Sequence, residues 1–205
     1  MDWQPAWRGR GGHITGIRSW GIELVAKRLQ LFKDLVPGAR RVAVLGNPVT
    51  LPANRSLVKF LADHEKPSSM ELRLYEARVA AEFDVAFDAM ARDRMDGVLV
   101  LGDATFYAER VSLGEWCRKG RLPSIWGHKS YLLDGGGLAS YQSDFSEIFR
   151  RGPILVDKIL RGIKPGDIPF ERASKLDLVV NLKAARAMGI TVPQALLLSA
   201  DEVIQ

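Results

Sequence analysis

The chain predicts an α/β fold built on a parallel sheet with crossover helices, and three observations carry that expectation. Apolar runs bounded by turn residues alternate with helical patterns along the sequence. Two of these runs, VAVL at 42–45 and VLVL at 98–101, are continuous rather than alternating, as in strands covered on both faces. The segments between the runs carry apolar residues at spacings of three and four, the signature of a helix with one buried face. At 205 residues, with 47% aliphatic and aromatic content and 26% charged, the chain can bury one good core, or one lobe and part of another.

The first helix is read from the stripe Val25, Leu29, Phe32 and Val36, and Pro37-Gly38 stops it. Arg41 to Leu45 is the first strand. A second helix ends before the loop Lys66-Pro67-Ser68-Ser69, after which Glu71 to Tyr75 is a strand. Phe83, Ala86, Phe87 and Met90 form the next helical stripe, and strands follow at Gly97 to Leu101, Ser124 to Trp126 and Leu138 to Tyr141. Asp144 with Glu147 three residues on is an N-terminal capping pattern for a helix reaching about Leu160, with Gly162 just past its end. Gly152-Pro153 interrupts that helix and predicts a kink, because proline lacks the amide and crowds the carbonyl four residues back. Leu178 to Val180 is a further strand, with Leu182 to Met188 helical behind it.

Composition narrows the function classes. Twenty-nine Lys and Arg against 24 Asp and Glu give a net charge of +5, yet the cations are scattered in short pairs rather than in one stripe, so no nucleic-acid partner is expected. A single cysteine, Cys117, leaves no intrachain disulfide. No apolar run approaches the roughly 20 residues that span a bilayer, so no direct membrane insertion is expected. A charged start followed by an apolar core, the mark of a signal peptide, is also missing from the sequence as written, which by itself predicts a cytoplasmic chain.

Catalytic patterns fare poorly, and the expectation is a protein that is not an enzyme. There is no G-x-S-x-G elbow to expose a nucleophile. His13, His64 and His128 are far apart and belong to no zinc-binding spacing, so neither a metal nor any other cofactor is expected. The glycines of DGGGLAS lack the Lys-Ser or Lys-Thr of a phosphate loop and lead into a strand, and GRGGHITG places Ile14 where a dinucleotide fingerprint needs its third glycine.

In an open parallel sheet the carboxyl ends of the strands form a crevice that suits a ligand. That rule selects Asn47 after the first strand, Asp103, Thr105 and Phe106 after the third, Trp126 and His128 after the fourth, and Tyr141 after the fifth. Such a rim mixes hydrogen-bonding groups with aromatic faces and fits a small polar solute with an apolar or aromatic body. An ammonium group could pair with Asp103, and a carboxylate could meet helix amides near Thr105 or Asn54. Each residue has a structural alternative: Asn47 and Asp103 as helix caps, Trp126 as core, His128 as a solvated loop residue.

The blocks GGHITGI (11–17), LVPGARRVAVLGNP (35–48), DGVLVLGD (96–103), LPSIW (122–126), DGGGLASYQ (134–142) and the tail from Asp167 to Gln205, with Asn181-Leu182-Lys183 and Ala200-Asp201-Glu202-Val203-Ile204, occur in an order that resembles the ABC-transporter substrate-binding family related to tryptophan and tyrosine binders. The resemblance implies a type I periplasmic-binding-protein fold, a three-layer α/β/α lobe with C-terminal crossover elements of a largely missing first lobe. The expected division is an irregular start at 1–18, a second lobe at 19–142, and a crossover helix, strand and terminal helices at 143–205 that pack toward the first lobe. The opening MDWQPAWRGR departs from the pattern and reads as an altered start.

The function that the resemblance implies is non-catalytic binding of a small organic solute, amino-acid-like or aromatic, for a periplasmic ABC importer whose permease recognises the closed form. Half of the contacts to a solute would then be missing, predicting weak binding unless another subunit completes the cleft. Apolar faces left without first-lobe neighbours predict a homo-oligomer. Alternatives are a cytoplasmic ligand-sensing or regulatory domain of the same fold, a hydrolase or transferase on an α/β scaffold, and an oligomeric relic with no transport role.

Overall fold

The computed structural model describes residues 13–19, 23–50, 59–64 and 69–205. The opening decapeptide, Gly11-Gly12, Asn54 and the loop residues 66–68 lie outside them. In chain order the elements are β1 (Ile17–Arg18), α1 (Glu23–Leu35), β2 (Arg41–Gly46), helical residues at 59–64 (α2), β3 (Glu71–Glu76) and α3 (Phe83–Arg92). There follow β4 (Gly97–Val100), α4 (Ala104–Ala108), α5 (Arg110–Lys119), β5 (Ser124–Trp126), α6 (Ser130–Leu133) and β6 (Ala139–Ser143). The last third holds α7 (Phe145–Leu160), β7 (Glu171–Arg172), β8 (Leu176–Asn181), α8 (Leu182–Ala187), α9 (Gln194–Ser199) and β9 (Glu202–Ile204).

Two compact units emerge. The larger takes Ile22–Gln142 and Asp177–Gln205, and the smaller takes Ser143–Leu176 with the described residues ahead of it at 13–19. Residues 177–205 were expected beside the crossover helix and group instead with the larger unit. The reason is strand pairing: β8 lies next to β6, and β9 pairs with β8 in parallel, Val180 opposite Val203.

The main sheet runs β3-β2-β4-β5-β6-β8-β9. Its β2–β3, β2–β4, β4–β5, β5–β6 and β8–β9 pairs are parallel. The β6–β8 pair departs from the all-parallel expectation. The Asn181 amide donates to the Leu138 carbonyl and the Asp144 amide to the Lys175 carbonyl, so rising numbers on one strand meet falling numbers on the other. That antiparallel step follows from connectivity, since the chain leaves the larger unit on β6 and returns on its neighbour.

Side chains alternate across each strand, and the core divides accordingly. Val42, Val44, Leu99, Ile125, Leu178 and Val180 face one layer, where Leu29 and Phe32 of α1, Leu61 of α2, Ala185 of α8 and Leu196 of α9 cover them. Ala43, Leu45, Val98, Val100, Trp126 and Val179 face the other, covered by Phe87 of α3, Phe106 of α4, Cys117 of α5 and Tyr131 of α6. With both faces covered, the strand sequences become continuously apolar, as the VAVL and VLVL runs predicted.

In the smaller unit Asp144 caps α7, its Oδ1 accepting from the Ser146 and Glu147 amides at 2.8 and 3.2 Å. Glu147 does not turn back to the cap. It accepts from the Lys175 amide at 2.9 Å and from Ser174. Helix α7 runs continuously through Pro153 and ends at Gly162 with φ +94°, the left-handed turn expected there. Phe149 and Leu160 on this helix are 75% and 81% exposed.

Helix α5 lies so close to the turn after α6 that a Cβ on Gly114 would sit 1.8 Å from the Gly135 carbonyl oxygen, whereas nothing stands within 4 Å of one on Gly152 in α7. Gly114→Ala is therefore expected to lower unfolding stability in urea by about 1–3 kcal/mol through backbone displacement. Gly152→Ala is expected to raise it by about 0.5–1 kcal/mol through a stiffer unfolded chain and better helix propensity. Equal midpoints for the two variants would contradict the packing described.

Candidate functional site

The sheet order places the larger unit's polar residues. From β2 the chain crosses first to β3 on one side and then to β4 on the other, so the carboxyl ends of β2 and β4 flank a topological switch point. Asn47 follows β2 and Asp103 follows β4. Asn47 is 4% exposed, and its Nδ2 donates to Asp103 Oδ1 at 3.2 Å while its Oδ1 accepts from the Val49 amide. Thr50 Oγ1 donates to Asp103 Oδ2 at 2.6 Å.

Asp103 also caps α4, accepting at Oδ1 from the Thr105 and Phe106 amides at 2.9 and 3.1 Å. Burial alone would raise its pKa. The four donors, Thr50, Asn47 and the two amides, outweigh burial and hold the carboxyl below its ordinary value. Both the ligand-facing and the capping roles considered for Asp103 thus meet a carboxylate already well supplied with donors. The Thr105 and Phe106 amides, considered as anion donors, are taken by this cap.

Two expected site residues prove to be core. Phe106 is fully buried and meets Phe83 edge-on, with ring centroids 5.8 Å apart. Trp126 is also fully buried, stacked on Tyr131 at 4.6 Å, and its indole N–H donates to Ser124 Oγ at 2.8 Å. Neither presents a face to a solute, because strand alternation turns Trp126 into the layer beneath α6 and the first turn of α4 points Phe106 downward.

The remaining rim is partly exposed. His128 accepts at Nδ1 from the Ser130 amide at 3.2 Å and meets Tyr107 edge-on at 5.3 Å. Burial first, then the Lys129 and Arg110 charges, lower its pKa, which favours the neutral imidazole. Tyr141 is half-buried against the core, and burial first, then Asp201, raises its phenol pKa. Lys129 pairs with Glu202 and Arg110 with Asp134, while Arg110 also sits 5.0 Å over the Tyr107 ring.

Two residues at this rim escaped the sequence reading. Tyr107 is 42% exposed and stands edge-on to Tyr131 as well as His128. Arg28 in α1 is only 6% exposed and donates from Nε to the Tyr141 carbonyl at 2.8 Å. Its signal was present: Arg28 occupies the apolar stripe between Val25 and Leu29, where a charge is out of place.

The larger unit is thus a three-layer α/β unit with hydrogen-bonding and aromatic groups at its strand tips. The chain belongs to the ABC transporter substrate binding protein family, whose model matches residues 4–204. It is similar to a conserved domain protein from Vibrio cholerae, at 27% identity and a TM-score of 0.83, over 94% of this chain and 64% of that one. It thus spans slightly less than two thirds of that relative.

An ABC domain from Streptococcus pneumonia in complex with L-Trp also superposes with a TM-score of 0.83, at 22% identity, over 98% of this chain and 68% of that one. The ligand-free, open CD0873, a substrate binding protein with adhesive properties from Clostridium difficile, follows at 0.65 and 17% identity, over 93% and 62%. These last two establish the fold, which is of the type I periplasmic-binding-protein kind. No curated protein matches the chain. Among the described residues, no helix is long and apolar enough to cross a membrane, and no three His, Cys, Asp or Glu side chains group as metal ligands.

Removing the Asp103 side chain is expected to cost about 1–2 kcal/mol, the usual loss for an N-cap. Because the folded pKa of Asp103 is depressed, its ionised form adds stability above the ordinary carboxylate range near 4, and that contribution is lost as pH falls through the folded value. Urea unfolding of wild type and Asp103→Asn at pH 7, 5 and 3 should therefore show a wild-type advantage at the two higher values that narrows at pH 3. A gap independent of pH would mean that Asp103 acts as a cap alone.

Proposed function

We propose that the chain binds a small organic solute at the strand tips of its larger unit and serves the importer to which such a protein delivers, releasing the solute unchanged to a membrane permease. The observation that supports this most directly is the rim itself. Its carboxylate is tied into a network by Asn47, Thr50 and two amides, and its histidine accepts from the Ser130 backbone amide. Such groups hold and orient a guest well and are poorly set to move protons on it.

An amino-acid-like or aromatic solute fits the exposed Tyr107 face and the half-buried Tyr141, and the L-Trp complex of the similar Streptococcus protein agrees with that chemistry. A periplasmic location accords with the family. The apolar side chains that α7 leaves exposed, Phe149 and Leu160 among them, support self-association.

A thermal-shift screen of the full chain against the twenty amino acids and a set of aromatic acids tests the binding role. Saturation at 100 times Kd stabilises the native state by about 2.7 kcal/mol, a rise of a few degrees, and no rise with any compound would overturn the reading. Sedimentation velocity over a tenfold range of concentration is expected to show a dimer or larger species that grows with concentration. A monomer throughout would remove self-association and leave solute binding untouched.

A further inference from the structure

Arg28 lies on the buried face of α1, flanked by Val25 and Leu29, with 6% of its surface exposed. One of its five N–H groups is engaged. Nε donates to the Tyr141 carbonyl, where β6 has run past Ser140, its last residue paired with β5. Among the described residues nothing accepts from Nη1 or Nη2, and no carboxylate pairs with the guanidinium.

The free end of Arg28 reaches the strand tips. A Cβ built on Gly127, the residue after β5, would lie 3.4 Å from Nη2 and 3.5 Å from the amide nitrogen of Gly102, the second residue after β4. The guanidinium thus lies directly beside Gly127 and the turn after β4. Burial, with no acid to offset it, lowers the pKa of Arg28 to about 10, so the group is still charged at neutral pH and desolvated. A buried cation without a counter-charge is costly, and an incoming anion relieves that cost.

We propose that Arg28 is the anchor for a solute carboxylate at the tips of β4, β5 and β6. The proposal rests on the solute-binding reading above and names the ligand chemistry of that same rim. Two parallel N–H groups on one planar edge match the two oxygens of a carboxylate in bidentate pairing. A phosphate dianion would call for a second unengaged cation, and among the described residues of the rim Arg110 pairs with Asp134 and Lys129 with Glu202. A monocarboxylate, with its apolar body free to lie toward the rim aromatics, is the charge that the site can balance.

Titration calorimetry on the full chain tests this with the amino acids and aromatic acids of the screen, each beside its neutral primary amide. The acids should bind about 10- to 100-fold more tightly than their amides, the usual range for one charge-assisted pair. Arg28→Gln should erase the preference and Arg28→Lys should keep part of it. The acid-to-amide ratio is read on the wild-type protein, so it decides the matter even if a variant fails to fold. Equal binding of acid and amide, or of acids by wild type and Arg28→Gln, overturns the role of Arg28 and leaves solute binding standing. Binding of neither partner in any pair overturns both.

Discussion

A sheet covered on both faces leaves little room for polar side chains along its central strands, and that constraint orders much of the larger unit. Val42, Val44 and Leu99 are held under α1 while Ala43, Leu45 and Val98 are held under α3 and α5, so the positions of the central strands β2 and β4 are committed to one apolar layer or the other. Hydrogen-bonding groups are thereby pushed to the strand ends. Asn47, Asp103, His128 and Gln142 all sit there, and Gln142 itself accepts from the Lys129 amide at 2.9 Å. The groups that could meet a ligand therefore gather at the carboxyl ends of the central strands.

The same constraint explains which features were legible in the sequence. Continuous apolar runs located β2 and β4 to within about a residue, and spacing of three and four located α1 and α3. The Asp144 cap and the left-handed glycine at 162 were local signals and appear where expected, whereas Glu147 turns to Ser174 and Lys175. The two-residue strands β1 and β7 were not legible, since each is defined only by its partner across more than 150 positions. Nor was the return of 177–205 to the larger unit, which depends on pairing between β6 and β8 rather than on any local pattern.

At the site, position along a strand was readable but direction was not. Trp126 and Phe106 follow or end strands at the rim, yet one strand register or one helical turn sends each ring into the core. Asp103 stands after β4 as strand position predicts, whereas two of its four donors come from as far away as Asn47 and Thr50. Arg28 was overlooked because attention to strand ends passes over helices, although a charge inside an apolar stripe marks a buried cation as plainly as any motif.

The antiparallel step between β6 and β8 gives the chain an unusual economy of connection. The Leu138–Asn181 and Asp144–Lys175 bonds fix a register in which Gln142 stands opposite Asp177. The last residue of the larger unit before the excursion and the first after it are therefore cross-strand partners. Everything from Ser143 to Leu176 is, topologically, a domain-sized hairpin loop, and a two-residue Asn-Gly turn in its place would convert a discontinuous unit into a single uninterrupted polypeptide.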